Sequence, residues 1–162
     1  MNRIGLKVLA LAGVLCIAPT PPLIHTDAET AKAELLALHQ ADRRAHFRHD
    51  VDALVASIPS EFIYVRDGNI QRQTKEDLRK RFTQYFQGTE FSAWDDLEPP
   101  IIHASPDGQM GWMVVRVKIA YSKTDGAGKR TQEQSVIAWM SVYEKHEGKW
   151  VHVANASTFE PE

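Results

Sequence analysis

Between Glu29 and Ile58 the apolar positions recur at helical spacing. At about 100° per residue, Leu36, Phe47, Val51, Leu54 and Ile58 fall into one stripe, with Val55 on its margin. The pattern predicts one long helix whose stripe faces a core. On a shoulder of that stripe His39, Arg43, His46 and Asp50 follow one another at i, i+4, i+7 and i+11, a file of groups able to bond or titrate. Such a file suits the wall of a part-polar pocket.

Pro59 ends the helix, and Glu61 to Val65 reads as a strand joined by an Asp67-Gly68 turn to Asn69-Ile70-Gln71. Thr74 and Asp77 form a capping-box pattern for a second helix, along which Leu78, Phe82, Tyr85 and Phe86 recur up to Gly88. Its basic run, Arg79, Lys80 and Arg81, fits the solvated face of an amphipathic helix better than a phosphate site. From Phe91 onward the period changes. Turn signals at 98–100, 106–108, 125–128 and 147–148 separate strands near 91–97, 101–121 (interrupted at Asp107-Gly108), 130–145 and 149–159. The last two are long enough to require a bent sheet. Alternation makes Met113, Val115, Val117, Ile119 and Tyr121 one apolar face, with Trp112, Arg116 and Lys118 on the other.

Composition adds limits. A chain of 162 residues, 43% hydrophobic and 25% charged, fits one globular domain. Arg3 and Lys7 with the apolar run Ile4 to Ala18 read as a signal peptide, 1–27, cleaved between Ala18 and Ala28 and leaving a domain over 28–162 that is secreted or periplasmic. Beyond that export signal no membrane association is expected. Cys16 is the one cysteine, and Leu15 before it spoils a lipoprotein motif. A processed chain therefore has no disulfide, thiolate or cysteine-metal chemistry. Losing the two positive charges of Arg3 and Lys7 takes the formal charge from −2 to −4, which leaves no basic field for nucleic acid.

Within these limits His46 and Asp50, one turn apart, form the best candidate dyad: the carboxylate orients the imidazole, which acts as base. The plainer reading of the same pair, and the favoured one, is a surface or half-buried ion pair that only steadies the helix. Arg43 is suited to holding a carboxylate or an oxyanion, or to bonding Asp50. A metal is not expected, because His49 points about 60° away from His46 and a third ligand, His103 or His152, would have to come from elsewhere, even with Asp42 nearby. No cofactor is indicated. Trp94 walls the pocket mouth, and strand alternation allows only one of Asp95 and Asp96 to face inward. Trp112, Trp139 and Trp150 serve either a flat ligand or the core. Tyr64, His103, Arg116, Ser141, Asn155 and Ser157, with His39, complete the candidate ligand-binding set.

The order of elements, with Phe62-Ile63-Tyr64-Val65-Arg66-Asp67-Gly68, Arg81-Phe82-Thr83-Gln84-Tyr85-Phe86, Ser105-Pro106-Asp107-Gly108, and Ala138 to Trp150 ending in Ser157-Thr158-Phe159, resembles the nuclear-transport-factor-2-like superfamily, including its SnoaL-like and ketosteroid-isomerase-like members. The resemblance covers about Ala28 to Phe159 and implies an α+β cone: a strongly curved antiparallel sheet wrapped around the long N-terminal helix, with a short hairpin and a second helix. Superfamily members do unrelated things, so the fold alone names no activity. Ketosteroid isomerases build an oxyanion hole from a tyrosine and a protonated aspartate and use another aspartate as base. That constellation has no residue-by-residue match here. The expectation is an exported domain that binds a small, partly apolar organic molecule in the cone and forms a homodimer through the outer face of the sheet. Two alternatives stand beside it. One is a cofactor-independent isomerase, dehydratase, cyclase or hydrolase using His46, Asp50 and Arg43, and the other is a dimerisation or interaction module.

Overall fold

The computed structural model describes residues 27–160, so Cys16 and all but the last residue of the expected signal peptide (1–27) lie outside the described residues. The elements are α1 (Asp27–Arg48), α2 (Val51–Val55), β1 (Phe62–Arg66), β2 (Asn69–Gln73), α3 (Lys75–Phe86), β3 (Thr89–Asp96), β4 (Ile101–Ala104), β5 (Met110–Thr124), β6 (Arg130–His146) and β7 (Lys149–Phe159). One seven-stranded sheet runs β2-β1-β7-β6-β5-β3, with β4 paired to β5. All pairings are antiparallel except β1 with β7, where Ile63 lies beside Ala154. The α+β cone follows: the sheet curls around α1, bent by bulges at Phe91/Ala93 and Val142/Tyr143.

Local chemistry explains most boundaries. Asp67 and Gly68 both take positive φ (51° and 74°), the geometry of a type I′ hairpin, which joins β1 to β2. Thr74 and Asp77 form the full capping box at the start of α3: Asp77 N donates to Thr74 Oγ1 (3.1 Å) and Thr74 N to Asp77 Oδ2 (2.9 Å). The inward side of β5 is Met113, Val115, Val117 and Ile119, all buried, and with Leu35, Trp94 and Tyr143 they form the main core. Gly111 permits this packing, since a Cβ there would lie 2.6 Å from Leu35 Cδ1. A second cluster of Val55, Ile58, Phe62 and Leu78 seats α2 and α3 on β1.

The long helix is in fact two. His49 has φ 53°, His49 N donates to His46 O (3.1 Å) and Asp50 N to Ala45 O (2.9 Å), the two bonds of a Schellman ending. Asp50 then caps α2, its Oδ1 accepting from Ala53 N at 3.0 Å. Helix periodicity alone hides such a stop, because the left-handed position holds a histidine rather than glycine. The apolar stripe is also displaced. Leu36 and Phe47 are 36% and 43% exposed, while α1 buries Ala31, Leu35, His39, Ala45 and His46. The side of α1 turned toward the sheet is thus the one carrying the polar file, because part of that side borders a cavity rather than packed core.

Candidate functional site

The cone leaves a cavity of about 480 Å³ between α1, α2, α3 and the concave face of the sheet. Its wall is mainly aromatic and aliphatic, with Phe82, Tyr85, Trp94, Tyr121, Ile137 and Trp139 prominent, and polar groups enter it from α1, β1, α3 and β7.

From α1 come His39, Asp42, Arg43 and His46. His46 Nδ1 lies 2.8 Å from the Asp42 carbonyl oxygen, so Nδ1 carries the hydrogen and Nε2 is the bare nitrogen. Its ring lies against Trp94, 3.9 Å between centroids, and meets Phe82, Phe86 and Phe91 edge-on. Burial pushes the imidazole down to about 4, only partly offset by the carbonyl, so His46 is neutral at pH 7. The His46–Asp50 dyad is not formed: Asp50 is exposed, is occupied as the cap of α2 and does not line the cavity. Arg43 lines the cavity edge and donates to Asp95 Oδ1 (3.0 Å). His39 is buried with Nε2 2.8 Å from Asp96 Oδ1. Both aspartates of β3 are therefore taken up by α1 side chains, and neither lines the cavity.

The sheet contributes Tyr64, Trp94, Trp139, Asn155 and Ser157 to the cavity. The Tyr64 hydroxyl and Ser157 Oγ share a 2.9 Å hydrogen bond, and Asn155 Nδ2 donates to Ser141 Oγ (3.1 Å). Ser141 is buried behind Asn155 and does not itself line the cavity. Three expected residues lie on the outer face instead. His103 stacks on Trp112 (5.3 Å), its cross-strand partner, and Arg116 faces Glu160 (3.8 Å). The parity that buries Val115 and Val117 necessarily sends Trp112 and Arg116 outward. Trp150 donates to Glu34 from outside the cavity lining (2.7 Å).

Asp42, Arg66, Arg81 and His152 also line the cavity, with Tyr85, Tyr121 and Ser135, and the sequence alone assigns none of them a ligand-binding role. Asp42 lies in the same helical file as His39 and His46. Burial pushes its carboxyl up to about 7, and no donor among the described residues bonds it. His152 packs between Tyr143 (4.7 Å, nearly parallel) and Phe62 (4.9 Å, edge-on), and its Nε2 is buried without a hydrogen-bond partner among the described residues. Burial lowers it to about 4. Arg66 shares the inward parity of Phe62 and Tyr64 on β1, and Arg81 sits one turn from Leu78 and Tyr85 on α3. Spacing alone would have found the two arginines, whereas the burial of Asp42 and His152 depends on the closed cone. Among the described residues no three His, Cys, Asp or Glu side chains gather as a metal cluster.

No protein-family model matches the chain, and no curated protein matches its sequence. Solved structures do match in shape. An NTF2-like protein from Cytophaga hutchinsonii has a TM-score of 0.62 at 15% identity, covering 79% of this chain and 97% of that one. A ketosteroid isomerase-like protein from Erwinia carotovora atroseptica has a TM-score of 0.57 at 18% identity, covering 81% and 97%. The association domain of C. elegans CaMKII has a TM-score of 0.57 at 15% identity, covering 80% and 96%.

Proposed function

We propose that this nuclear-transport-factor-2-like domain binds a small, partly apolar organic molecule in its cone. The observation that carries the proposal is the cavity itself: about 480 Å³, with a mainly apolar surface of aromatic and aliphatic groups into which polar side chains enter from the helices and the sheet, within the range of small-molecule sites. Native mass spectrometry of gently purified protein is the test. Added mass that is lost in a cavity-filling Ser135→Trp variant supports the proposal, and cavity-sized ligands that bind both proteins equally contradict it.

A second reading, favoured by Asp42, makes the domain a cofactor-independent enzyme of the isomerase or dehydratase kind. A carboxyl balanced near neutrality in an apolar cavity takes up a proton from carbon and returns it readily. Asp42, rather than His46 with Asp50, is then the base, and His46 stays neutral as an acceptor. Deuterium exchange at the carbon beside the carbonyl of a bound cyclic ketone should fall by about a hundredfold or more in Asp42→Asn. Exchange that continues unchanged removes the enzymatic reading.

The outer face supports a homodimer. Cross-strand partners Val65, Ala156, Met140, Val114 and Ile101 form one apolar row over β1, β7, β6, β5 and β4. Val65, Met140 and Ile101 are each at least 36% exposed. Light scattering should give twice the chain mass for the parent and a monomer for Met140→Lys, while a monomeric parent sinks the proposal. Export rests on residues 1–27 alone and is checked by the intact mass of protein recovered from outside the cytoplasm, which should begin between 19 and 28.

A further inference from the structure

Three arginines and one aspartate line the cavity of a chain whose formal net charge is −2. Arg43 already pairs with Asp95. The other two come from separate elements, Arg66 from β1 and Arg81 from α3. Arg66 lies over the Phe159 ring at 4.0 Å, and Arg81 lies 5.1 Å from the Tyr64 ring centroid and 5.6 Å from that of Phe82. Stacking holds a guanidinium by its face and leaves its N–H edges available.

Those edges are incompletely used. Arg66 Nε donates to the exposed Asp67 (3.1 Å), and Arg81 Nη1 to the neutral amide oxygen of Gln73 (3.2 Å). No carboxylate among the described residues pairs with Arg81. Desolvation works against the Arg81 cation, Tyr64 beside it favours the charge, and the neighbouring Arg66 charge again opposes it. Two like charges held along one cavity edge are costly until an anion joins them. Counting Asp67, the pair carries one net positive charge, which matches a monoanion better than a dianionic phosphate.

We infer that the molecule held in the cone carries a carboxylate, bound at the rim by the forks of Arg66 and Arg81, with its flat apolar body against Phe82, Trp94 and Trp139. Two guanidinium forks fit a planar carboxylate through paired N–H bonds. The inference rests on the cone being the ligand site, and the experiment separates the two.

Isothermal titration with naphthoate and with naphthamide, its uncharged counterpart of nearly the same shape, is run near pH 6 at low salt, where the probe is ionised and Asp42 is mostly protonated. The parent should bind naphthoate about tenfold more tightly than naphthamide. In Arg66→Gln/Arg81→Gln the two affinities should come within about twofold, with naphthamide binding kept, which also shows that the variant is folded. Equal affinities in the parent overturn the carboxylate inference and leave the cone as a binding site. A preference that survives in the double variant overturns the role of the two arginines. If neither probe binds, both the inference and the binding proposal fall.

Discussion

At the floor of the cone His46 and His152 are driven neutral and Asp42 is pushed toward its protonated form, whereas at the rim Arg43, Arg66 and Arg81 keep full charges, each with an ion pair, a ring face or both. Solvent accounts for the difference. The floor is lined by Phe62, Phe82 and Trp94, with Tyr143 behind His152, so an ion there has little water and no ion-pair partner among the described residues, and the uncharged state is favoured. At the rim water and ring faces share the charge. A molecule entering the cone therefore meets fixed charge first and proton-exchanging, uncharged groups last.

The contrast is broken most severely by forcing a charge onto the floor. His152→Lys should cost about 3 kcal/mol or more, read as the loss of thermal stability at pH 7. Arg66→Gln, the matched change at the rim, should cost less than about 1 kcal/mol. Equal losses would erase the distinction.

Asp42→Asn comes next. A carboxyl whose folded value is raised from 3.8 to about 7 destabilises the fold as pH climbs through that window. The variant should therefore be more stable than the parent at pH 8, by on the order of 2 kcal/mol, and gain little at pH 4. A gain independent of pH would show that Asp42 titrates normally.

The histidines work in the opposite sense. Their folded values lie near 4, below the usual 6.5, so the stability they contribute is complete above about 6.5 and is lost as pH falls toward 4. His152→Phe keeps a ring between Tyr143 and Phe62 and should flatten that acid limb by about 1 kcal/mol or more across the window. An unchanged limb would place His152 in contact with water. Away from the cone, Asp50→Ala should cost about 1 kcal/mol through the lost cap of α2 and leave probe affinity unaltered.

Much of the architecture was legible in the chain because short-range chemistry dictates it. The Asp67-Gly68 turn, the Thr74 and Asp77 capping box and the alternation along β5 each specify their geometry within a few residues. The parallel seating of β1 against β7 was not, since no local pattern reports a partner some ninety residues away. In the site, His39, Arg43, His46, Tyr64, Trp94, Trp139, Asn155 and Ser157 do line one cavity. His103, Trp112 and Arg116 do not, and for Trp112 and Arg116 strand parity already said so. Asp50 was misplaced because helix periodicity was carried through a stop lacking glycine. Asp42 does not stand out in the sequence because a carboxylate on a helix is ordinarily solvated, and only the closed cone withdraws most of its water.

The most direct measurement is the carbon-13 NMR titration of the Asp42 carboxyl, with the cavity empty and then filled with naphthamide. The account predicts a midpoint near 7 in the empty protein, moving higher as the uncharged probe displaces water from the cone. A midpoint near 4 that the probe does not move would contradict it.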